Sequence, residues 1–182
     1  MMWRKRQKPI EGDERSVGDP KRARQLTMDR ALKLLAAKPR SVGELRERLL
    51  ESRWTDEAIV TDVIETLIAY KYLDDSQYAL DLALSRLRRK PQGSRRLERT
   101  LSEKKLDDEH VRAAIASAFE AMPEADLINA AIEKRVGLKG WPVTRDDMRR
   151  LVDHLLRRGF SYDLIRSRAD EIMKKGRSGN PE

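Results

Sequence analysis

The chain has 182 residues, 39% hydrophobic and 38% charged but only 5% aromatic, with a formal net charge of +8. That length admits one or two ordinary domains or a series of small modules, and so few aromatics favour thin helical cores over one large core. Cysteine is absent, which excludes disulfides and thiolate metal sites. No stretch approaches a transmembrane span, and the basic N-terminus lacks an apolar signal region, so a soluble cytoplasmic protein is expected.

Residues 1–26 mix Arg, Lys, Gly, Pro and acid without apolar periodicity and read as a basic, disordered tail. Thr27 then caps a helix over about 28–37 with Ala31, Leu34 and Leu35 inward, and Pro39 ends it. Ser41-Val42-Gly43-Glu44 is a capping box opening the helix of Leu45 and Leu49. A longer helix covers about 56–70. Asp74 or Asp75 caps the next, which runs to about Lys90 and buries Tyr78, Ala79, Leu82, Ala83 and Leu87. After the loop Pro91-Gln92-Gly93, Ser94 caps a short helix. Asp107 starts a helix to about Met122, and Pro123 another to about Val136. Gly137–Pro142 reads as a second loop, and Thr144-Arg145-Asp146-Asp147 as a capping box with Asp in place of Glu. Gly159 fits a helix C-cap before a last helix over about 162–175, and a frayed tail follows from Gly176. No segment shows strand alternation.

One apolar pattern recurs three times. The first copy is Leu45, Leu49, Trp54, Ile59, Val63 and Leu67; the second is Leu97, Leu101, Leu106, Val111, Ile115 and Phe119; the third is Leu151, Leu155, Phe160, Ile165, Ala169 and Met173. Between the third and fourth positions stands a capping residue each time (Thr55, Asp107, Ser161), followed two residues later by an acid (Glu57, Glu109, Asp163). A single amphipathic helix gives the spacing of four but not the same break and cap three times, so each copy is a short helix, a turn and a second helix. With one leading helix each, the copies predict an all-α fold of three tandem three-helix repeats, over 27–73, 74–122 and 123–175. Such units bury their apolar faces on one another, so an elongated, curved array is expected.

The positive charge is local. Residues 1–25 hold eight basic and four acidic side chains and residues 86–105 hold nine and two, while the rest sums to −3. A localised excess reads as a surface facing a polyanion. Arg86, Arg89 and Lys90 end one helix, Arg95, Arg96 and Arg99 begin the next, and Lys104 and Lys105 follow. These eight are the candidate binding residues, for phosphates or for acidic side chains of a protein. The positive helix N-terminus near Ser94 is expected to add to the attraction. Other chemistry is sparse. His110 and His154 have no partners at metal-ligand spacing and read as rim histidines, and Asp74-Asp75 sits where a helix needs a cap. Gly137–Gly140 lacks the Ser or Thr of a phosphate-cradling loop. Trp54 and Phe160 occupy equivalent core positions; Trp141, before Pro142, is freer to meet a partner, although packing is the preferred reading. Little marks Trp3 for nucleic acid.

Tyr72-Leu73-Asp74-Asp75, Tyr78-Ala79, Arg86, Gly93 and Arg96-Leu97, with Leu101 and Leu106, resemble the central motif of the RecX family. Ala31-Leu32, Leu34-Leu35, Arg40-Ser41 and Glu44-Leu45 resemble its opening, so the likeness covers about residues 27–174. The family often has Gly just before the third pattern position; here Arg53 and Lys105 stand there, and only Gly159 matches. The resemblance implies a non-enzymatic, cofactor-free regulator of recombination and DNA repair that binds the RecA nucleoprotein filament and inhibits its ATPase and strand exchange. It also implies a monomer for which single- or double-stranded DNA is a further partner. The alternative is a tandem helix-turn-helix DNA binder, which calls for a basic recognition face in every module. The helix at 56–68 carries Asp56, Glu57, Asp62 and Glu65 instead.

Overall fold

The computed structural model describes residues 18–178, with side chains as far as Ile172; the expectations placed on residues 1–17, Trp3, the Met173 side chain and residues 179–182 lie outside this range. Among the described residues there are nine helices and no strand. They are α1 (Pro20–Ala37), α2 (Val42–Leu50), α3 (Glu57–Ala69), α4 (Asp75–Arg89), α5 (Ser94–Ser102), α6 (Asp108–Ala121), α7 (Glu124–Lys139), α8 (Arg145–Arg157) and α9 (Tyr162–Ser178). Taken in threes they are the three tandem repeats. Two compact units cut through the middle repeat: one takes the described residues to Tyr78 with Lys104–Leu106, the other Ala79–Glu103 with the residues from Asp107 onward.

In the first unit α1 starts at Pro20 rather than after Thr27. Asp19 accepts from the backbone N–H groups of Lys21 (3.0 Å) and Arg22 (3.3 Å), and proline needs no N–H partner in a first turn. Thr27 is buried in mid-helix, its hydroxyl donating to the Ala23 carbonyl at 2.8 Å. Ala31 of α1 packs with Leu45 and Leu49 of α2, Val60, Val63, Ile64 and Leu67 of α3, and Leu73 beyond it. Ser41 caps α2 by accepting from Glu44 N–H at 3.0 Å, but the Glu44 carboxylate does not close a capping box. It receives the Lys104 ammonium at 3.1 Å and the Tyr78 hydroxyl at 3.2 Å instead. Burial alone would raise the Glu44 carboxyl, yet Lys104, with help from Lys38 and Tyr78, outweighs it and holds the group below its ordinary value. Burial and the Glu44 charge push the Tyr78 hydroxyl up to about 12.

The first repeat departs from the pattern by one residue. Asp56, not Thr55, caps α3 by accepting from Ile59 N–H at 2.8 Å, and Arg53 does not take the left-handed conformation. The longer turn rotates α3, so Val60 is buried, Ile59 only half-buried, and Trp54 leaves the core with 40% of its surface exposed. In the other two repeats the left-handed residue is present, at Lys105 (φ 55°) and Gly159 (φ 85°). Asp107 precedes α6 and Ser161 caps α9, accepting from Leu164 N–H at 3.3 Å. There the buried positions are Val111, Ala114 and Ala118, and Ile165 and Ile172, while Ile115, Phe119 and Ala169 are half-buried. Phe160 is fully buried, as its place in the pattern requires.

Each left-handed turn presses on the start of the second helix of the preceding repeat. In the first unit the Ser41 hydroxyl donates to the Lys104 carbonyl, and a Cβ on Gly43 would lie 2.5 Å from the Lys105 carbonyl oxygen. Lys105 pairs with Glu47 at 2.8 Å, and Asp75 accepts from Val42 N–H at 2.8 Å, while Asp74 caps α4 through Gln77 N–H at 2.9 Å. In the second unit Gly93 N–H donates to the Arg158 carbonyl at 2.9 Å, and a Cβ on Gly93 would run into Gly159. Gly93 is the cap residue of α5, and Ser94 is already helical, its N–H held by Glu124 at 2.9 Å. The third repeat keeps the Thr144–Asp147 capping box. The expected loop at Gly137 is helical, because α7 runs on to Lys139 and ends at left-handed Gly140 (φ 79°). Likewise α9 continues past Gly176.

These contacts predict opposite effects for three alanines. Gly93→Ala forces a methyl into the Gly159 backbone and should cost about 1–3 kcal/mol. Leu101→Ala empties a fully buried site and should cost about 2–5 kcal/mol. Gly137→Ala, in a helix with nothing near its added Cβ, should gain up to about 1 kcal/mol. Urea unfolding followed by circular dichroism measures all three.

Candidate anion-binding surface

The eight candidate cations divide between the two units. Lys104 and Lys105 belong to the first and are engaged there, by Glu44 at 3.1 Å and Glu47 at 2.8 Å. Arg86, Arg89, Lys90, Arg95, Arg96 and Arg99 belong to the second and are all exposed. Arg96 is partly committed, its Nη1 donating to the Arg157 carbonyl at 2.9 Å. Arg86, Arg89, Lys90, Arg95 and Arg99 form no ion pair among the described residues. An exposed cation without a counter-charge contributes little to folding and stays open to an anion.

The same approach of Gly93 to Gly159 brings cations of the third repeat to these. Arg158 Nη1 donates to the Pro91 carbonyl at 2.8 Å, and its Nε donates to Nε2 of His154 at 3.1 Å. Burial and the charge of Arg96 lower the Arg158 guanidinium from its ordinary value. Burial holds the His154 imidazole below its ordinary range too, with Arg158, Arg135, Arg157 and Lys90 adding repulsion. Arg135, Arg157, Arg158 and His154 were not among the sequence candidates. The signal for Arg157 and Arg158 was the equivalence of Gly159 with Lys105, which sets the residues just before Gly159 against the start of α5.

Other expectations fare differently. Glu124 occupies the Ser94 N–H, so that donor of the α5 N-terminus is not open to an anion. His110 and His154 are both half-buried, consistent with rim positions. Trp141 is not packed: it is 58% exposed in the turn between α7 and α8. Among the described residues no His, Cys, Asp and Glu group could hold a metal, and no helix is long and apolar enough to cross a membrane.

His154 reports on the surface. Its pKa is depressed in the folded state, so the unfolded chain binds the extra proton and stability falls as pH drops below about 6.5. Above that value the contribution is fully present. An NMR titration of the imidazole should give a midpoint below about 6.5. Adding a polyanion should raise that midpoint by relieving the repulsion, and an unchanged midpoint would place the anion elsewhere.

Comparison with known proteins bears on all three repeats. Residues 28–67 match the model of the RecX first three-helix domain, 74–115 the second and 123–167 the third. The Regulatory protein RecX of Prosthecochloris aestuarii is 33% identical over 80% of this chain and 93% of its own length. That of Chlorobium limicola is 31% identical over 80% and 89%. That of Bacillus licheniformis is 31% identical over 78% of this chain, which spans only 53% of that longer relative. The crystal structure of RecX from Lactobacillus salivarius shares the fold, with a TM-score of 0.70 at 22% identity over 85% of this chain and 97% of that one. With the three family domains in order along a chain of three helical repeats, the protein belongs to the RecX family.

Proposed function

We propose that this protein is a non-enzymatic regulator that binds the RecA nucleoprotein filament and inhibits RecA's ATP hydrolysis and recombinase activity. The observation that carries the reading is the order of the three RecX domains along the chain, in relatives named for regulation. The contact surface is the group of cations without acidic partners, Arg86, Arg89, Lys90, Arg95 and Arg99, with Arg157 and Arg158 beside them. A filament of protein and DNA offers both phosphates and carboxylates to such a surface. The tandem helix-turn-helix reading gains no support from α3, where Asp62 already pairs with Arg24 and Glu57 with Arg46.

Purified protein should lower RecA's DNA-dependent ATP hydrolysis, and no change over a wide range of protein-to-RecA ratios would count against the reading. The charge reversal Arg89→Glu, Arg95→Glu and Arg99→Glu should weaken filament binding in co-sedimentation while leaving helical content and Tm nearly intact. Arg96 is left out because it also holds the Arg157 carbonyl. If phosphates are the target, each lost contact should flatten the log-affinity against log-salt slope by about 0.7–0.9. If RecA carboxylates are the target, bare-DNA binding should hardly change.

A further inference from the structure

Between the end of α7 and the start of α8, a cavity of about 170 Å³ is lined by Arg135, Lys139, Trp141, Pro142 and Arg150, among others. From these residues we infer a binding site for single-stranded nucleic acid, in which one base stacks on the Trp141 indole and the flanking phosphates meet Arg135, Lys139 and Arg150.

The cavity is well below the roughly 300–1,000 Å³ of pockets for drug-sized ligands, which suits one flat ring rather than a folded peptide segment. Trp141 lines this cavity with 58% of its surface exposed, so its indole face is open to a ligand. Leu138 and Val143 beside it are also exposed, so the turn projects from the packed helices. The three cations meet one carboxylate, Asp147. That group is already occupied by the N–H and hydroxyl of Thr144 at 3.3 and 2.8 Å and lies 3.5 Å from Arg150. The site therefore keeps a positive excess around an aromatic face. A base with its phosphates matches both features, because every base has a π-face and every step a charge. An acidic peptide matches only the charge.

Continuity argues for a strand rather than a free nucleotide. Arg135 lines the cavity and is also a charged neighbour of His154, which in turn meets Arg158, Arg157 and Lys90. One basic track thus leaves the cavity toward the exposed cations of α4 and α5, and a connected backbone can follow it. This inference goes beyond the RecA reading and needs no RecA for its test.

The full-length chain is titrated with three labelled probes by fluorescence anisotropy: a short oligothymidylate, an abasic strand of equal length, and a duplex. Trp141→Ala should weaken oligothymidylate binding about tenfold, the scale of one stacked base, and leave abasic-strand binding unchanged. Trp141→Phe should restore most of the loss, and neither variant should shift Tm, since the side chain is exposed. Arg135→Glu with Lys139→Glu should weaken the oligothymidylate and the abasic strand alike. Equal binding of oligothymidylate by wild type and Trp141→Ala would overturn the proposal. So would an equal Trp141→Ala loss with the abasic strand or the duplex. Displacement of the strand by thymidine monophosphate at matched phosphate concentration would overturn the extended site, and displacement by polyglutamate would assign the surface to protein.

Discussion

At both junctions between repeats, two stretches of backbone come closer than side chains allow, and the rest of the molecule is arranged around that approach. A left-handed residue in one repeat's turn, Lys105 or Gly159, faces the first turn of a helix in the repeat before, at Gly43 or Gly93. The partner glycine is needed for clearance, whereas the left-handed residue is needed for direction. Gly159 supplies the direction without strain. Lys105 supplies it at a cost of about 1–2 kcal/mol for a residue with a Cβ. Its own ion pair with Glu47 is too exposed to offset that, since such pairs contribute less than about 1 kcal/mol. The offset comes from the half-buried network beside it, in which Glu44 holds both Lys104 and Tyr78 while Ser41 bonds the Lys104 carbonyl.

These junctions recast the family motif. Asp74 caps α4, Asp75 bonds the start of α2, Tyr78 bonds Glu44, and Gly93 and Arg96 receive the turn of the third repeat. Most of the residues that make the sequence recognisable thus hold repeats in register. A motif of this kind identifies a fold firmly and a binding surface hardly at all.

The helical repeats were legible because their apolar spacing and caps are local properties, carried by residues such as Asp107, Ser161, Gly159 and the Thr144 box. The start of α1 was harder to read because its inward stripe is Ala23, Thr27 and Ala31, small residues with little hydropathy to mark a face. The signal that did exist, Asp19 before Pro20, sits among mixed charges. Trp54 was misplaced because a single added residue in the turn rotates α3, and no periodicity within the helix records that rotation. Among the candidate cations, Lys104, Lys105 and Arg96 also make contacts at the junctions. Their partners, Glu44, Glu47 and the Arg157 carbonyl, lie far away in the chain, so charge density alone could not separate them from Arg89, Arg95 or Arg99.

The second junction also explains why repulsion is tolerated where it is. Docking Gly93 on Gly159 obliges Arg157 and Arg158 to stand beside Arg96, while helix spacing already sets Arg158 one turn from His154. Two of these side chains find neutral acceptors rather than carboxylates: Arg96 donates to the Arg157 carbonyl, and Arg158 to the Pro91 carbonyl and the ring of His154. A neutral acceptor satisfies the N–H groups yet leaves the net charge in place. Glu124 is spent on the Ser94 N–H. Packing is thereby served without neutralisation; the pKa of His154, depressed first by burial, is lowered further by the repulsion that remains. A polyanion would remove that cost without disturbing one hydrogen bond of the junction. The geometry that joins these repeats is the same geometry that leaves the surface positive.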